Sequence, residues 1–220
     1  MNINIDVISK NPLFEKVSYS NLTSMFACLN LRHEDCKKGS YIFLEGQKVD
    51  YVGVVQKGKL AAVKDTYQGN RSIFEEYSPS EMFGGAFACA KLDKSPISVL
   101  ALTDSEVLLF DYKRIITTCS NACVFHSKLI ENMLKILADD VLNLNDKLHV
   151  LSNRTTRDKL LAYFELQREI FDSNTFSIPL NREQLADFLF VDRSAMSREL
   201  SKMRDEGLIE FDKNNIELLI

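Results

Sequence analysis

The chain has 220 residues and a mass of 25.1 kDa; 45% of its residues are hydrophobic, 26% are charged, and the net charge is −4. That length holds one large or two small domains with their own cores, and the acidic balance excludes nucleic-acid binding by gross basicity, so such a role must rest on a local patch. No segment approaches the roughly 20 apolar residues of a membrane span, and Met1 to Phe14 lacks a basic flank followed by an apolar run, so a cytoplasmic protein with no membrane partner is expected.

Residues 8–30 read as helical: Pro12 sets a turn, Ser20 can cap, and Leu22, Met25, Phe26 and Leu29 share a face. From Lys37 to Phe110 the pattern changes to short apolar runs cut by turn residues: Tyr41–Leu44, Tyr51–Gln56, Leu60–Lys64, Ser72–Tyr77, and Val99–Phe110 interrupted at Thr103-Asp104. Strands at such short, regular spacing predict an all-β barrel, roll or jelly roll. Asp111 to Thr118 reads as a short helix, and Ser120 or Asn121 suits the N-cap of a long one.

Ile130, Leu134, Leu137, Val141, Leu144, Leu148 and Leu151 then recur with alternating gaps of four and three, the seam of a left-handed coiled coil. A second apolar row, Leu129, Met133 and Ile136, runs beside it, as if one side of the helix met a sister chain and the other its own domain. The polar, hinge-like Ser152 to Arg157 leads into a further helix carrying Leu160, Leu161, Phe164 and Leu166, and Phe176 to Leu180 reads as a short strand.

Asn181 can cap a helix with Gln184 three residues on, a capping-box arrangement. Asp192 can cap the next helix, whose inner stripe is Met196, Leu200 and Met203 until Gly207 ends it. Two short helices with a brief turn form a helix-turn-helix, and Leu208–Phe211 with Ile216–Ile220 reads as a β-hairpin wing. Arg193, Ser194, Ser197 and Arg198 are left on the outward face near the second helix's N-terminus, where arginine's parallel donors can match guanine N7 and O6 in a major groove. From residue 151 onward ten basic residues face thirteen acidic ones, so position, not total charge, argues for DNA.

The order of these elements, with the strings Tyr41-Ile42-Phe43-Leu44-Glu45-Gly46, Val54-Val55-Gln56-Lys57-Gly58, Asn181-Arg182-Glu183-Gln184-Leu185-Ala186 and Asp192-Arg193-Ser194-Ala195-Met196-Ser197-Arg198, resembles the Crp/Fnr family of bacterial transcription regulators. The resemblance covers nearly the whole chain and implies an α+β fold: an N-terminal cupin-like β-roll sensing an effector (residues 1–119), a long dimerisation helix (120–151) and a C-terminal winged helix-turn-helix (152–220). It implies a homodimer on a palindromic double-stranded DNA operator, with RNA polymerase as a candidate further partner. Arg193, Ser194 and Arg198 fall at the base-reading positions and Arg182 near phosphate, and Lys202 joins the DNA-binding set. Two departures stand out: Ser194 replaces a common glutamate, and Phe190 occupies the turn where a small residue is usual.

In cyclic-nucleotide-binding members a glycine, a glutamate and a later arginine hold the ribose and phosphate. Here Gly84 is in place, Gly85 stands at the glutamate position and the arginine position falls near Ser95; Asp139, Asp140 and Val141 stand where the dimer helix offers hydroxyls to the base. Without a fixed cation a buried phosphate lacks compensation, so the effector is expected not to be cAMP, and its pocket to involve Gly84, Gly85, Ala86, Phe87, Cys89, Ser95 and Ile97. No cofactor is assigned.

Five cysteines, Cys28, Cys36, Cys89, Cys119 and Cys123, point to reduced thiols in a chain with a real core. Cys119 and Cys123, four apart, are weak metal or redox candidates, and the alternative reading is a cysteine-based redox or metal sensor whose C-terminal domain acts through protein contacts. The family's oxygen-sensing N-terminal cysteine cluster is absent. His33, His126 and His149 are scattered, so the paired-histidine spacing of cupin-type metal sites is missing. With no Gly-rich phosphate loop and no nucleophile paired with a base, an enzyme is not expected.

Overall fold

The computed structural model describes residues 3–65, 71–117 and 124–219. Its contacts divide the chain into two units, residues 1–138 and 139–220.

The first unit opens with three short helical pieces, where residues 8–30 are expected to be helical with a turn at Pro12: α1 (Ile5–Ile8) capped by Asn4, a 3₁₀ turn (Pro12–Phe14) entered through Asn11, and α2 (Tyr19–Cys28). Pro12 cannot extend a helix from residue 8, and Lys16 adopts a positive φ of 61°. Ser20 therefore lies inside α2, whose N-cap position is Ser18.

Strands β1 (Arg32–Cys36), β2 (Tyr41–Phe43), β3 (Tyr51–Lys57), β4 (Leu60–Asp65), β5 (Arg71–Tyr77) and β6 (Met82–Phe83) precede helix α3 (Gly85–Cys89); β7 (Ser98–Ala101), β8 (Ser105–Asp111) and helix α4 (Tyr112–Ile116) follow it. They form two antiparallel four-stranded sheets, ordered β1-β8-β3-β6 and β2-β7-β4-β5. Phe43, Val55, Leu60, Phe83, Val107 and Leu109 are buried in one apolar cluster, while the alternate residues Val52, Val54, Leu108 and Phe110 join Leu13, Phe14, Leu22 and Leu29 in another. The first sheet is thus covered on both faces, which explains why β3 and β8 read as nearly continuous apolar runs. Strand β1, Arg-His-Glu-Asp-Cys, carries no apolar alternation; it is an edge strand held by its register on β8, from Arg32 opposite Leu109 to Cys36 opposite Ser105.

Helix α5 (Val124–Ser152) runs from the first unit into the second. Leu129 and Met133 are buried in the first unit, where the Asn132 amide donates to the Leu13 and Glu15 carbonyls at 2.9 and 3.0 Å. The expected N-cap at Ser120 or Asn121, with Cys119 and Cys123, lies outside the described residues.

The second unit contains α6 (Thr156–Phe171), β9 (Thr175–Ser177), α7 (Arg182–Leu189), α8 (Arg193–Asp205), β10 (Ile209–Asp212) and β11 (Asn215–Leu218), with sheet order β10-β11-β9. Strand β9 stops before Pro179, which has no N–H for a ladder, so the strand expected over Phe176–Leu180 is shorter and begins one residue earlier. Val150, Leu160, Phe164, Phe176, Leu185 and Ile209 are among the residues of this unit's own core.

Candidate nucleic-acid interface

The helix pair is set by local chemistry. The Asn181 carboxamide oxygen accepts from the Glu183 and Gln184 N–H groups, each at 3.0 Å, and the Gln184 side chain accepts from the Asn181 N–H at 2.9 Å, completing a capping box at α7. At its other end Val191 N–H donates to the Ala186 carbonyl at 3.0 Å and Phe190 N–H to the Asp187 carbonyl at 3.1 Å, a Schellman closure with Phe190 at the left-handed position, φ 52°. The Lys159 ammonium donates to the Leu189 carbonyl at 3.0 Å. Lys147 Nζ lies 5.1 Å from the Phe188 ring centroid and 6.0 Å from that of Phe190. The bulky residue in the turn is thus 74% exposed yet faces a cation, which accounts for the departure at position 190.

Asp192 caps α8: its carboxylate accepts from the Ala195 N–H at 2.8 Å and the Ser194 hydroxyl at 2.6 Å. These bonds, Ser194's first, hold its pKa below the usual range. Met196, Leu200 and Met203 are all buried, which fixes the helix's rotation and leaves Arg193, Ser194, Ser197 and Arg198 exposed. Ser194 turns its hydroxyl back to Asp192, and the Ser197 hydroxyl donates to the Arg193 carbonyl at 2.9 Å. Among the described residues the guanidinium groups of Arg193 and Arg198 enter no ion pair or hydrogen bond. Arg198 adds a weaker charge interaction with Asp192, and the other acids nearby are engaged elsewhere. Arg157, on α6, donates to Glu199 at 2.6 Å and to both Glu206 oxygens at 2.7 and 2.9 Å. The Arg157 pKa is raised, and Glu206 is held below the ordinary carboxylate range, by this pairing. Lys202 is exposed, 3.9 Å from Glu199.

Arg182 is placed differently from a free phosphate ligand. Its Cζ lies 4.9 Å from the centroid of the Phe211 ring on β10, Nη1 is buried without a partner, and burial lowers its pKa. Arg204 lies 5.3 Å from the same ring. Arg157, Lys147 and Phe211 escaped the sequence reading because their contacts are long-range: no spacing rule links Arg157 to Glu206, 49 residues away.

Along α5 the expected seam splits. Leu134, Val141, Leu144 and Leu148 are 63, 56, 60 and 63% exposed, whereas Leu137 packs partly into the first unit's core and Ile130 and Leu151 are half-buried. Leu129 and Met133, in the second row, are buried, with Ile136 partly so.

In the roll, Gly84 has a left-handed φ of 74° and packs against the Tyr51 carbonyl and the Val49 side chain, which suits glycine. Gly85 and Ala86 start α3, and Phe87 meets Phe43 edge-on with centroids 6.2 Å apart. Ser95 is buried, its hydroxyl donating to the Ile97 carbonyl at 2.7 Å, and the cations of this stretch, Lys91 and Lys94, are exposed. Cys89 lies beside Tyr112, and burial pushes its thiol pKa up despite that contact; Cys36 is raised by burial and by Glu34 and Asp35. Neither thiol has the electropositive surroundings of a reactive one.

A model of the cyclic nucleotide-binding domain matches residues 33–122, and one of the Crp-like helix-turn-helix domain matches residues 158–219. The transcriptional activator protein FnrA of Stutzerimonas stutzeri is 21% identical over 193 residues, covering 86% of this chain and 77% of the relative. The crystal structure of the Thermus thermophilus catabolite activator protein aligns with a TM-score of 0.56 at 20% identity, covering 94% of this chain and 93% of the other. A c-di-GMP-responsive global regulator, CLP of Xanthomonas campestris, aligns with a TM-score of 0.54 at 14% identity, over 90% of this chain and 98% of the other.

Proposed function

The chain belongs to the Crp/Fnr family of DNA-binding transcription regulators, which are not enzymes, and from that premise we propose that it acts as a homodimer on a palindromic operator, read by Arg193 and Arg198. The observation that carries this reading is the pair of exposed guanidinium groups, without an ion pair or hydrogen bond among the described residues, on a helix whose opposite face is buried. Such groups are available to base edges. Ser194 in place of a glutamate, with its hydroxyl committed to Asp192, shifts the burden of base discrimination onto the two arginines, while Lys202 supplies a phosphate contact.

The exposed leucines and valine of α5 support the homodimer, because a partner's identical stripe would cover them. Two linked reading helices must enter major grooves about 34 Å apart, so an effector acting on the roll or α5 controls DNA binding by changing their relative setting.

We infer that this effector is not cAMP: Gly85 supplies no carboxylate, the Ser95 hydroxyl is committed to Ile97, and Lys91 and Lys94 are exposed, leaving a buried phosphate without a fixed cation among the described residues of this stretch. Binding to promoter DNA over a range of salt concentrations tests the reading. A preferred operator bound by a dimer is expected; equal affinity for promoter and random DNA would overturn it.

A further inference from the structure

Two cavities in the first unit meet at one pair of side chains. One, about 500 Å³, lies beneath the N-terminal segment, with Asn4, Asp6, Gln56, Lys57 and Glu106 in its wall. The other, about 320 Å³, is bounded by Asp35, Cys36, Lys37, Asp104 and, again, Lys57 and Glu106. At this junction the β1–β8 register sets Asp35 directly opposite Glu106, and His33, two residues earlier on β1, projects from the same face. One ligand atom each from His33, Asp35 and Glu106 lies within 4.8 Å of the others. His33 Nε2 is buried with no hydrogen bond, 3.6 Å from Glu106 Oε2. The Gln56 amide donates to Glu106 Oε2 at 2.9 Å and the Lys57 ammonium to Oε1 at 3.3 Å.

We propose that His33, Asp35 and Glu106 form a binding site for a divalent first-row transition-metal ion, outside the cassette to which the family's nucleotide ligands would go. One imidazole and two carboxylates are the nitrogen and oxygen donors such ions accept. Bonds of roughly 2.0–2.2 Å require the three atoms to draw closer together, which rotation of the exposed Asp35 and half-buried Glu106 side chains provides. Both cavities border Glu106 and one borders Asp35, which leaves room for water on the carboxylate side of the site. Gln56 and Lys57 are the resident competitors: an ion on Glu106 Oε2 displaces the Gln56 amide donor, while the Lys57 ammonium, 3.3 Å from Oε1 and 74% exposed, is free to swing into solvent. Isolated carboxylates on a surface would have no such imidazole between them, its Nε2 buried and without a hydrogen bond.

The site was hidden in the sequence because a polar edge strand offers no periodic signal, and Glu106 is 71 residues beyond Asp35. Its test does not involve DNA, so it stands apart from the operator reading. Full-length, metal-free protein is titrated with Co²⁺, followed by visible absorption. One ion per chain is expected, with weak d–d bands and no strong near-ultraviolet thiolate band. His33→Ala and Asp35→Asn should each weaken binding at least about tenfold, and Lys57→Met should tighten it. Far-ultraviolet circular dichroism of each variant verifies folding. Absence of stoichiometric binding, binding unchanged in His33→Ala and Asp35→Asn, or a thiolate band lost in Cys36→Ala would each overturn the proposal.

Discussion

Arg157 and Glu206 join the first turn of α6 to the C-cap of α8 through two parallel hydrogen bonds, Nη1 to Oε2 at 2.7 Å and Nη2 to Oε1 at 2.9 Å, while Arg157 Nε reaches Glu199 mid-helix. One planar guanidinium therefore fixes the reading helix at two points, which lysine's point charge cannot do. Because Glu206 titrates below its ordinary value of 4.5 in the folded protein, the stability it contributes is present above that pH. It is lost as pH falls through the lowered value. The melting temperature of the second unit should decline below about pH 4.5, and Arg157→Met should start a few degrees lower with a shallower acid limb. Some slope should survive, since Asp192 at the α8 N-cap is depressed too and loses its cap in the same window. Thermal melts of both proteins from pH 7 to pH 3 provide the comparison; parallel acid limbs would mean that the pair contributes nothing.

The basic residues of the reader should separate into three behaviours. Arg198→Ala and Arg193→Ala should each cost about 1–3 kcal/mol of operator affinity and relax one base position. Lys202→Ala should weaken binding uniformly across sequences and reduce the salt slope by about one. Arg182→Ala should act through folding, because its guanidinium is stacked on Phe211 with one nitrogen buried: the main effect is a lower melting temperature of the second unit. Competition binding against base-substituted operators at several salt concentrations, with melts alongside, distinguishes the three.

Much of the reader was legible because its determinants are local. The capping box at Asn181, the Asp192 cap and the Met196-Leu200-Met203 stripe are each set by residues within a few positions of one another. In the roll, the apolar runs marked most strands, but β1 is polar and exists through its partner β8, and α3 follows Gly84 without a side-chain cap. The helical stretch expected over residues 8–30 is divided in the structure, because Pro12 and the positive φ of Lys16 interrupt it before α2 begins. The roles of Arg182 and Arg157 could not be read, because aromatic stacking and the bidentate pair depend on strands and helices brought together only by the fold.

The α5 seam predicts an oligomeric switch. A partner that covers Leu144 and Leu148 removes each from water, a contribution of about 1.5–3 kcal/mol per fully buried leucine. Replacing both by glutamate also sets like charges against each other across the two-fold axis. The double variant should sediment as a folded monomer, and its operator affinity should fall at least about tenfold, since only one half-site is then held by each molecule. Leu129→Ala, whose side chain is buried in the first unit, should instead cost about 2–5 kcal/mol of that unit's stability. Sedimentation equilibrium and a two-probe unfolding curve separate these outcomes; an unchanged dimer in the Leu144→Glu/Leu148→Glu protein would move the interface elsewhere.

Phe190 poses a balance of opposing effects. Its left-handed backbone costs about 1–2 kcal/mol in a residue with a Cβ, and glycine would relieve that strain while adding about 0.5–1 kcal/mol of unfolded-chain entropy. Losing the Lys147 contact costs a further 0.5–1 kcal/mol or so at this exposed position. The terms nearly cancel for Phe190→Gly, which should melt within a degree or two of the wild type. Phe190→Ala keeps the strain and loses the ring, so it should be the less stable of the two. Lys147→Met should lower stability in the wild type and have less effect beside Phe190→Gly, because only the Phe188 ring then remains for the ammonium to face. A melting temperature for Phe190→Ala equal to or above that of Phe190→Gly would show that the turn is not strained at this residue. The double-mutant cycle between positions 147 and 190 measures the cation–ring contribution directly.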